Sequence, residues 1–556
     1  QWKAAKARTL KQDMKVSYPQ STCLSSPYPY WCEFIINYAL EMPALGKTAE
    51  ERRRTLYQGG ITITTTLDPR VQQLTQAAVV KQVPIGDPSK VGAAAYVTQP
   101  GTGKVLAFAQ NTNYTVNKQT LGNTGINWAL DKKYGGSGGF QFGSTAKAFA
   151  LVTAMESGLN TKSSVDAKAA GGNSQAQYKP SDFPRDACSK TFVNWKVYND
   201  SPFKGGKMSL MEATALSTNT AFVGLAQQIG LCKIRDTMNR IGLHQANGQP
   251  ILKYPTSIVL GADEVSPQAI ADSYAVIASD GKRCPVVAVT KITQGGKNIP
   301  LPTAKCDQVI EPDVARATDK FLEYNMTDGS GRRNQLEGGR ESAGKTGTSN
   351  KNNESWFAGY SPNLSVAVWV GTPDDGNKRN MVNVTIGGRF IPKMHGAAVA
   401  APIWKEVMDG TLQGQPEVKF TAPSDKLLNG ENIDVPSVTG LTVTQAIAEL
   451  RGAGFSAGVG GTQPSSVPLG LVAGTSPSGK AKTGTYITIY TSGFAATPQN
   501  ASSNGNQQAS RGNVSNPAAA PPATTAAPKP PKATTPPKTK APKPPKPPKA
   551  TKPPKP

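Results

Sequence analysis

Histidine is almost absent: His244 and His395 are the only two in 556 residues. A Ser-His-Asp triad or a histidine-rich metal site is therefore not expected, and any general base has to be another residue type. No uninterrupted apolar run of 18 residues occurs, so no membrane-spanning helix is expected. Gln1 opens no charged-then-apolar leader. The six cysteines, Cys23, Cys32, Cys188, Cys232, Cys284 and Cys306, contain no Cys-x-x-Cys spacing. An even count without that spacing argues for disulfides in an oxidising compartment and against zinc. Nearness in sequence favours the pairs 23–32, 188–232 and 284–306, since short loops close at modest entropic cost. Neither a metal nor another cofactor is expected.

Acidic residues are missing from position 493 onward, where Arg511 and nine lysines carry +10 of the formal +24. From Pro517 the chain is mostly Pro, Lys, Ala and Thr, a mix that cannot bury a core and favours extended polyproline II. Residues 494–556 are expected to be a disordered tail, and its last 29 residues could span ~90 Å. A basic extended tail suits anionic wall polymers or a membrane surface. Nucleic acid is not expected, because no aromatic residue is interleaved to stack on bases. A plain solubilising spacer is an equal reading.

What the chain does contain is three short polar signatures in order: Ser144-Thr145-Ala146-Lys147, Ser217-Thr218-Asn219 and Lys345-Thr346-Gly347-Thr348. Together they supply a nucleophile, a base and an anion clamp, the parts needed for acyl transfer through a serine ester. None is specific alone. Ser-x-x-Lys recurs at Ser201/Lys204, Ser279/Lys282 and Ser342/Lys345, Ser-x-Asn at Ser361/Asn363 and Ser502/Asn504, and Lys-Thr-Gly-Thr at 482–485. Context separates them. Ser144 follows a glycine-dense loop and precedes the apolar helix former 148–155, which puts it at a helix N-terminus with Lys147 one turn on, on the same face. Ser217 and Asn219 interrupt two apolar helical stretches, which by itself reads as a cap or bend. Lys345 precedes two β-branched and aromatic runs around Ser361-Pro362-Asn363, an antiparallel pair, with Gly347 allowing close approach of a substrate backbone. The copy at Lys482 reads as an exposed edge turn.

With these residues in place, the chain resembles the transpeptidase region of class A penicillin-binding proteins. Gly59-Gly60-Ile61-Thr62-Ile63-Thr64-Thr65-Thr66-Leu67-Asp68-Pro69 is similar to the entry of that domain, and Arg340 to Thr348 with Trp356-Phe357-Ala358-Gly359-Tyr360 to its third motif and next strand. Phe142, Ala146 and Ala148 stand where the family usually has Pro, Phe and Pro around the nucleophile. The resemblance implies an α+β fold: an antiparallel sheet flanked by helices, with an all-helical part. Residues 433–493, with Ala446, Ile447 and Leu450 spaced for one helix face, resemble a single PASTA module, a small helix on three strands associated with peptidoglycan or β-lactam binding. A spacer role is at least as reasonable for it. The expected organisation is a connecting segment at 1–59, a transpeptidase domain at 60–410, a linker at 411–432, the PASTA module at 433–493 and the tail. The family's membrane anchor and glycosyltransferase signature are absent, so the chain is expected to be an extracytoplasmic fragment with its anchor upstream.

The resemblance implies a D,D-transpeptidase for peptidoglycan stem peptides, acylated by β-lactams. Ser144 would be the nucleophile, Lys147 the base, Ser217 the proton relay and Asn219 the holder of the substrate backbone. Lys345, Thr346 and Thr348 would bind the terminal carboxylate beside Gly347, and the amides of Ser144 and Thr348 would form the oxyanion hole. A neutral Lys147 requires a shift from about 10.4 to near 7, roughly 4.6 kcal/mol. The rivals are a hydrolase, for which Glu156-Ser157-Gly158-Leu159-Asn160 fits a water-activating string but lies ~18 Å along the helix from Ser144, a non-catalytic β-lactam sensor, and a wall-binding structural protein.

Overall fold

The computed structural model describes Trp2 and residues 22–172, 174–349, 352–373 and 379–495. The tail expected at 494–556 lies outside the described residues apart from the backbone of 494–495, as do residues 1 and 3–21 of the expected connecting segment.

The sheet that organises the molecule has five strands: β1 (Gly92–Gln99), β2 (Lys104–Gln110), β3 (Ala343–Thr348), β4 (Glu354–Ser361) and β5 (Leu364–Gly371). Their order is β3-β4-β5-β1-β2, every neighbour antiparallel. Ser361 pairs with Leu364, so Pro362-Asn363 forms the hairpin turn. Successive side chains alternate between two faces. Ala94, Tyr96, Ala367 and Trp369 enter one core, while Ala93, Ala95, Val97, Val366, Val368 and Val370 enter another. Both faces are covered, which is why the strand sequences are nearly continuous apolar runs.

The principal helices are α1 (Pro29–Leu40), α2 (Pro69–Gln82), α3 (Lys147–Glu156), α4 (Asn219–Ile229), α5 (Pro267–Ala278), α6 (Pro312–Thr327) and α7 (Ala400–Leu412). Helices α2 and α7 cover the valine face, and α5 and α6 lie against the other. Several starts follow from sequence: Asp68 accepts from the amides of Arg70 and Val71 with Pro69 in the first turn, and Ser266 Oγ accepts from the Ala269 amide with Pro267 in the first turn.

Residues 22–58, expected as connecting chain, are packed structure. Helix α1 stacks Trp31 on Phe108 at 5.1 Å between ring centroids and sets Phe34 edge-on to it at 5.5 Å. Its aromatic content drives that burial. The Cys23–Cys32 bridge closes the turn before it, and Cys188–Cys232 and Cys284–Cys306 are also bonded. The expected linker 411–432 is likewise pinned: Phe420 meets Tyr360 edge-on at 5.7 Å, and the Ser424 amide donates to Asp313.

The C-terminal module has helix α8 (Val443–Gly452) and strands β6 (Ser456–Ser465), β7 (Val472–Ser476) and β8 (Tyr486–Ala495), with β8 central. Ala446 and Leu450 enter its core with Phe455, Val472, Ile487 and Ile489, while Ile447 is only partly covered. The module rests on the end of α4: Arg451 donates to Gln227 O (3.3 Å) and Ser456 to Gln228 Oε1 (3.0 Å). The Lys482–Thr485 turn is not the free edge turn its composition suggests. Lys482 is exposed, but Gly484 is buried against Ser163 and Asn160 donates to the Thr483 carbonyl.

Candidate active site

The nucleophile loop is held from the sheet. Phe140 stacks on Trp369 with 3.5 Å between ring centroids, and Trp356 Nε1 donates to Gln141 O at 2.8 Å. Gly143 then takes φ +56°, and a Cβ there would fall 2.5 Å from the Thr348 carbonyl oxygen. Only glycine permits both the turn and this approach. Ser144 follows in a 3-10 turn, Gly143–Ala146, that runs directly into α3. Thr145 O accepts from Tyr274 OH at 2.8 Å, which fixes the turn from α5.

Lys147, the first residue of α3, is fully buried. Its Nζ lies 2.9 Å from Ser144 Oγ, 3.2 Å from Ser217 Oγ, 2.7 Å from Ser217 O and 2.6 Å from Asn219 Oδ1. Asn219 Nδ2 donates to Tyr198 O at 2.7 Å, so the amide presents its oxygen to the lysine. Two of the four neighbours of Nζ are thus acceptors only. A neutral amine satisfies them with its two N–H bonds and leaves its lone pair for the Ser144 hydroxyl. Burial, reinforced by the nearby Lys345, pushes the Lys147 ammonium well below the ordinary lysine range.

Ser217 occupies the bend between the helix Leu210–Ala215 and α4, with φ +56°. A non-glycine residue in that region stores roughly 1–2 kcal/mol of strain, and here the conformation turns the hydroxyl between two amines. Lys345 Nζ is 2.9 Å from Ser217 Oγ on the side opposite Lys147 in the contact chain. Lys345 is also fully buried, and burial lowers it to about 7. Thr346 Oγ1 lies 3.4 Å from Lys345 Nζ. Gly347 lets β3 press on the nucleophile loop, since a Cβ there would lie 2.6 Å from Phe142 O. Thr348, at the end of β3, shares with Ser144 a cleft of about 750 Å³ that also exposes Asn219, Ser217 and Thr346.

All eight residues singled out in the three signatures meet in one place, and the look-alikes do not join them as a unit. Ser279 Oγ turns back onto Ala275 O at 2.7 Å, Ser361 bonds Asn363 within a hairpin turn at 2.8 Å, and Ser201 lies on the cleft rim without a lysine contact of its own among those described. Ser502 and Asn504 are outside the described residues. Glu156 is bound by Arg240 at 2.7 Å at the far end of α3. His244 bonds Asp131 at 2.9 Å, whereas His395 lines the cleft, where its carbonyl accepts from Ser355 Oγ. The sequence reading missed Tyr198, which orients Asn219, and the Asn325 and Ser330 pair behind Thr346. The only sequence signal for Asn325 and Ser330 is a Gly-Ser-Gly turn after an amphipathic helix, which many loops share.

Residues 93–409, more than half of the chain, match the family model described as the penicillin binding protein transpeptidase domain, and residues 433–493 match the PASTA domain. Among curated relatives, penicillin-binding protein 1A of Mycobacterium tuberculosis is 28% identical over 392 residues, covering 67% of this chain and 42% of the relative. Its counterpart in Mycolicibacterium smegmatis is 27% identical over 405 residues, covering 67% and 44%. The chain thus spans less than half the length of these relatives. The solved structure of the PonA1 protein from Mycobacterium tuberculosis in complex with penicillin V superimposes with a TM-score of 0.55 at 26% identity, covering 70% of this chain and 96% of that one. Penicillin-binding protein 1A from Haemophilus influenzae, at 17% identity and TM-score 0.54, shares the fold, over 71% of this chain and 72% of its own. No described helix is long and apolar enough to cross a membrane. The chain belongs to the penicillin-binding protein transpeptidase family and carries a C-terminal PASTA domain.

Proposed function

We propose that this chain is a serine D,D-transpeptidase that cross-links peptidoglycan stem peptides outside the cytoplasm and is acylated by β-lactams. The observation that carries the reading is the buried Lys147 amine, 2.9 Å from Ser144 Oγ with its N–H bonds directed to Ser217 O and Asn219 Oδ1. Ser144 Oγ attacks the carbonyl carbon of the penultimate D-Ala while Lys147 takes the hydroxyl proton. The developing oxyanion is met by the amides of Ser144 and Thr348, whose backbones the Gly143 approach brings together. Collapse breaks the peptide C–N bond. The proton reaches the leaving D-Ala amine through Ser217, which touches both lysines. An amine of a second strand then attacks the ester, its proton returns by the same route, and Ser144 leaves as the alcohol. Asn219 holds the substrate backbone, and Lys345, Thr346 and Thr348 hold the terminal carboxylate.

A β-lactam enters the same cycle, but its opened ring keeps the leaving amine tethered and the ester persists. The Glu156 carboxylate, committed to Arg240, gives the hydrolytic alternative no support at Ser144. We assign 60–410 to the transpeptidase domain and 433–493 to the PASTA module, with the basic tail directed to anionic wall polymer or membrane surface. Incubation with a fluorescent penicillin followed by intact mass and peptide mapping tests the proposal. A single stable adduct on Ser144, lost in Ser144→Ala, is expected; an adduct on Ser201, Ser279 or Ser342 would sink it.

A further inference from the structure

Ser330 belongs to none of the sequence signatures, yet its hydroxyl stands 2.6 Å from Thr346 Oγ1 on the cleft wall. It follows α6 in the turn Gly329-Ser330-Gly331, which is tied down on both sides: Ser330 N donates to Ala215 O (3.2 Å) and Gly331 N to Asn325 O (3.1 Å). Asn325 is fully buried, and its Nδ2 donates to Gly344 O on β3 at 2.8 Å. That bond leaves Oδ1 as an acceptor, 3.0 Å from Ser330 Oγ. The Ser330 amide also donates to Oδ1, at 3.2 Å, so that oxygen is satisfied with or without the hydroxyl proton. Across the 2.6 Å contact either hydroxyl can donate, and when Ser330 donates the Thr346 proton is free to meet a ligand in the cleft. Thr346 Oγ1 also accepts from Lys345 Nζ at 3.4 Å.

We propose that Ser330 is a positioning residue of the carboxylate pocket: through the relay Asn325–Ser330–Thr346 it holds the Thr346 hydroxyl beside Lys345, so that both, with Thr348, meet the ligand carboxylate. The proposal rests on the acyl-serine reading above and adds to it a residue that acts only through Thr346. Its mark is selectivity for ligands that carry the carboxylate.

The test compares benzylpenicillin with its methyl ester on the purified protein, separating the dissociation constant of the initial complex from the limiting acylation rate. Loss of a charge-linked hydrogen bond is worth about tenfold in binding. Ser330→Ala is expected to weaken the initial complex with the acid about tenfold, to leave the acylation rate within threefold, and to leave the ester unchanged; Ser330→Thr, which keeps the hydroxyl, restores the acid. On a Thr346→Val background, Ser330→Ala adds less than twofold. Equal losses for acid and ester, no loss for the acid, or a full Ser330→Ala effect in the Thr346→Val background would each overturn the relay. Should Ser330→Ala fail to fold by thermal unfolding, Thr346→Val alone must show the acid-selective loss, and binding like the unsubstituted protein refutes the relay. A wild-type protein with no adduct on Ser144 counts against the acyl-serine reading instead.

Discussion

Asn160 donates its side-chain amide to the backbone carbonyl of Thr483. Each belongs to a motif look-alike, Asn160 to a Glu-x-x-Leu-Asn string and Thr483 to the second Lys-Thr-Gly-Thr, and the two meet where the PASTA module rests on the transpeptidase fold. Chemistry-like strings here serve as a docking contact. Beside them, Tyr486 OH reaches Asp166 at 3.3 Å.

Docking can be broken without touching the cleft. A Cβ on Gly484 would fall 1.8 Å from Ser163 Oγ, at a backbone φ of +73° that a side chain also resists. Gly484→Ala is therefore expected to release the module, seen as faster proteolysis between 413 and 432 and a larger radius by solution scattering. The acylation rate with a fluorescent penicillin should stay within threefold, as it should after truncation before Ile433. A tenfold loss in either case would mean that the module shapes the site.

Removing the amine tests the base directly. Lys147→Met should slow acylation about a hundredfold or more, the ordinary scale of general base catalysis. Lys482→Met should leave the rate unchanged, since Lys482 is exposed in the C-terminal module. Acylation by Lys147→Met within tenfold of the unsubstituted protein would place the base elsewhere.

The roles proposed for the two lysines set opposite limbs of the pH profile. Lys147 acts as a neutral amine, so the second-order acylation constant falls on acidification as it takes up a proton. Lys345 serves as a cation, so the constant falls on the alkaline side as it deprotonates near 7. A bell-shaped profile for a carboxylate-bearing β-lactam is expected in the free enzyme, with the alkaline limb absent for the corresponding ester. An alkaline limb shared by acid and ester would detach it from Lys345.

Glu354 provides a stability test. It is buried at the start of β4 beneath the Trp369 indole N–H, and burial raises its carboxyl to about 8. Between the ordinary carboxylate range and 8 the folded state keeps a proton that the unfolded state has lost, so stability falls as pH rises. The full effect is about 4–5 kcal/mol. Glu354→Gln, which is uncharged in both states, should flatten the fall between pH 5 and 8 in denaturant titrations; an unchanged slope would assign it to other groups.

The three signatures, the antiparallel hairpin around Pro362-Asn363 and the helix after Ser144 were legible because each is local: spacing, capping and β-branching act over a few residues. The scarcity of histidine, two in the whole sequence, also argued for a base of another residue type. What the sequence could not decide is which of several Ser-x-x-Lys strings carries a buried amine. That depends on desolvation, and Lys147 is buried because α3 is enclosed by the core while Lys282 lies in a short exposed strand. Tertiary structure alone also joined Asn325 and Ser330 to Thr346, brought Ser217 to Lys345 128 residues away, and carried Trp31, Phe34 and Leu45 into the core. Those are long-range contacts, and no local pattern encodes the partner across which a hydroxyl spends its one proton.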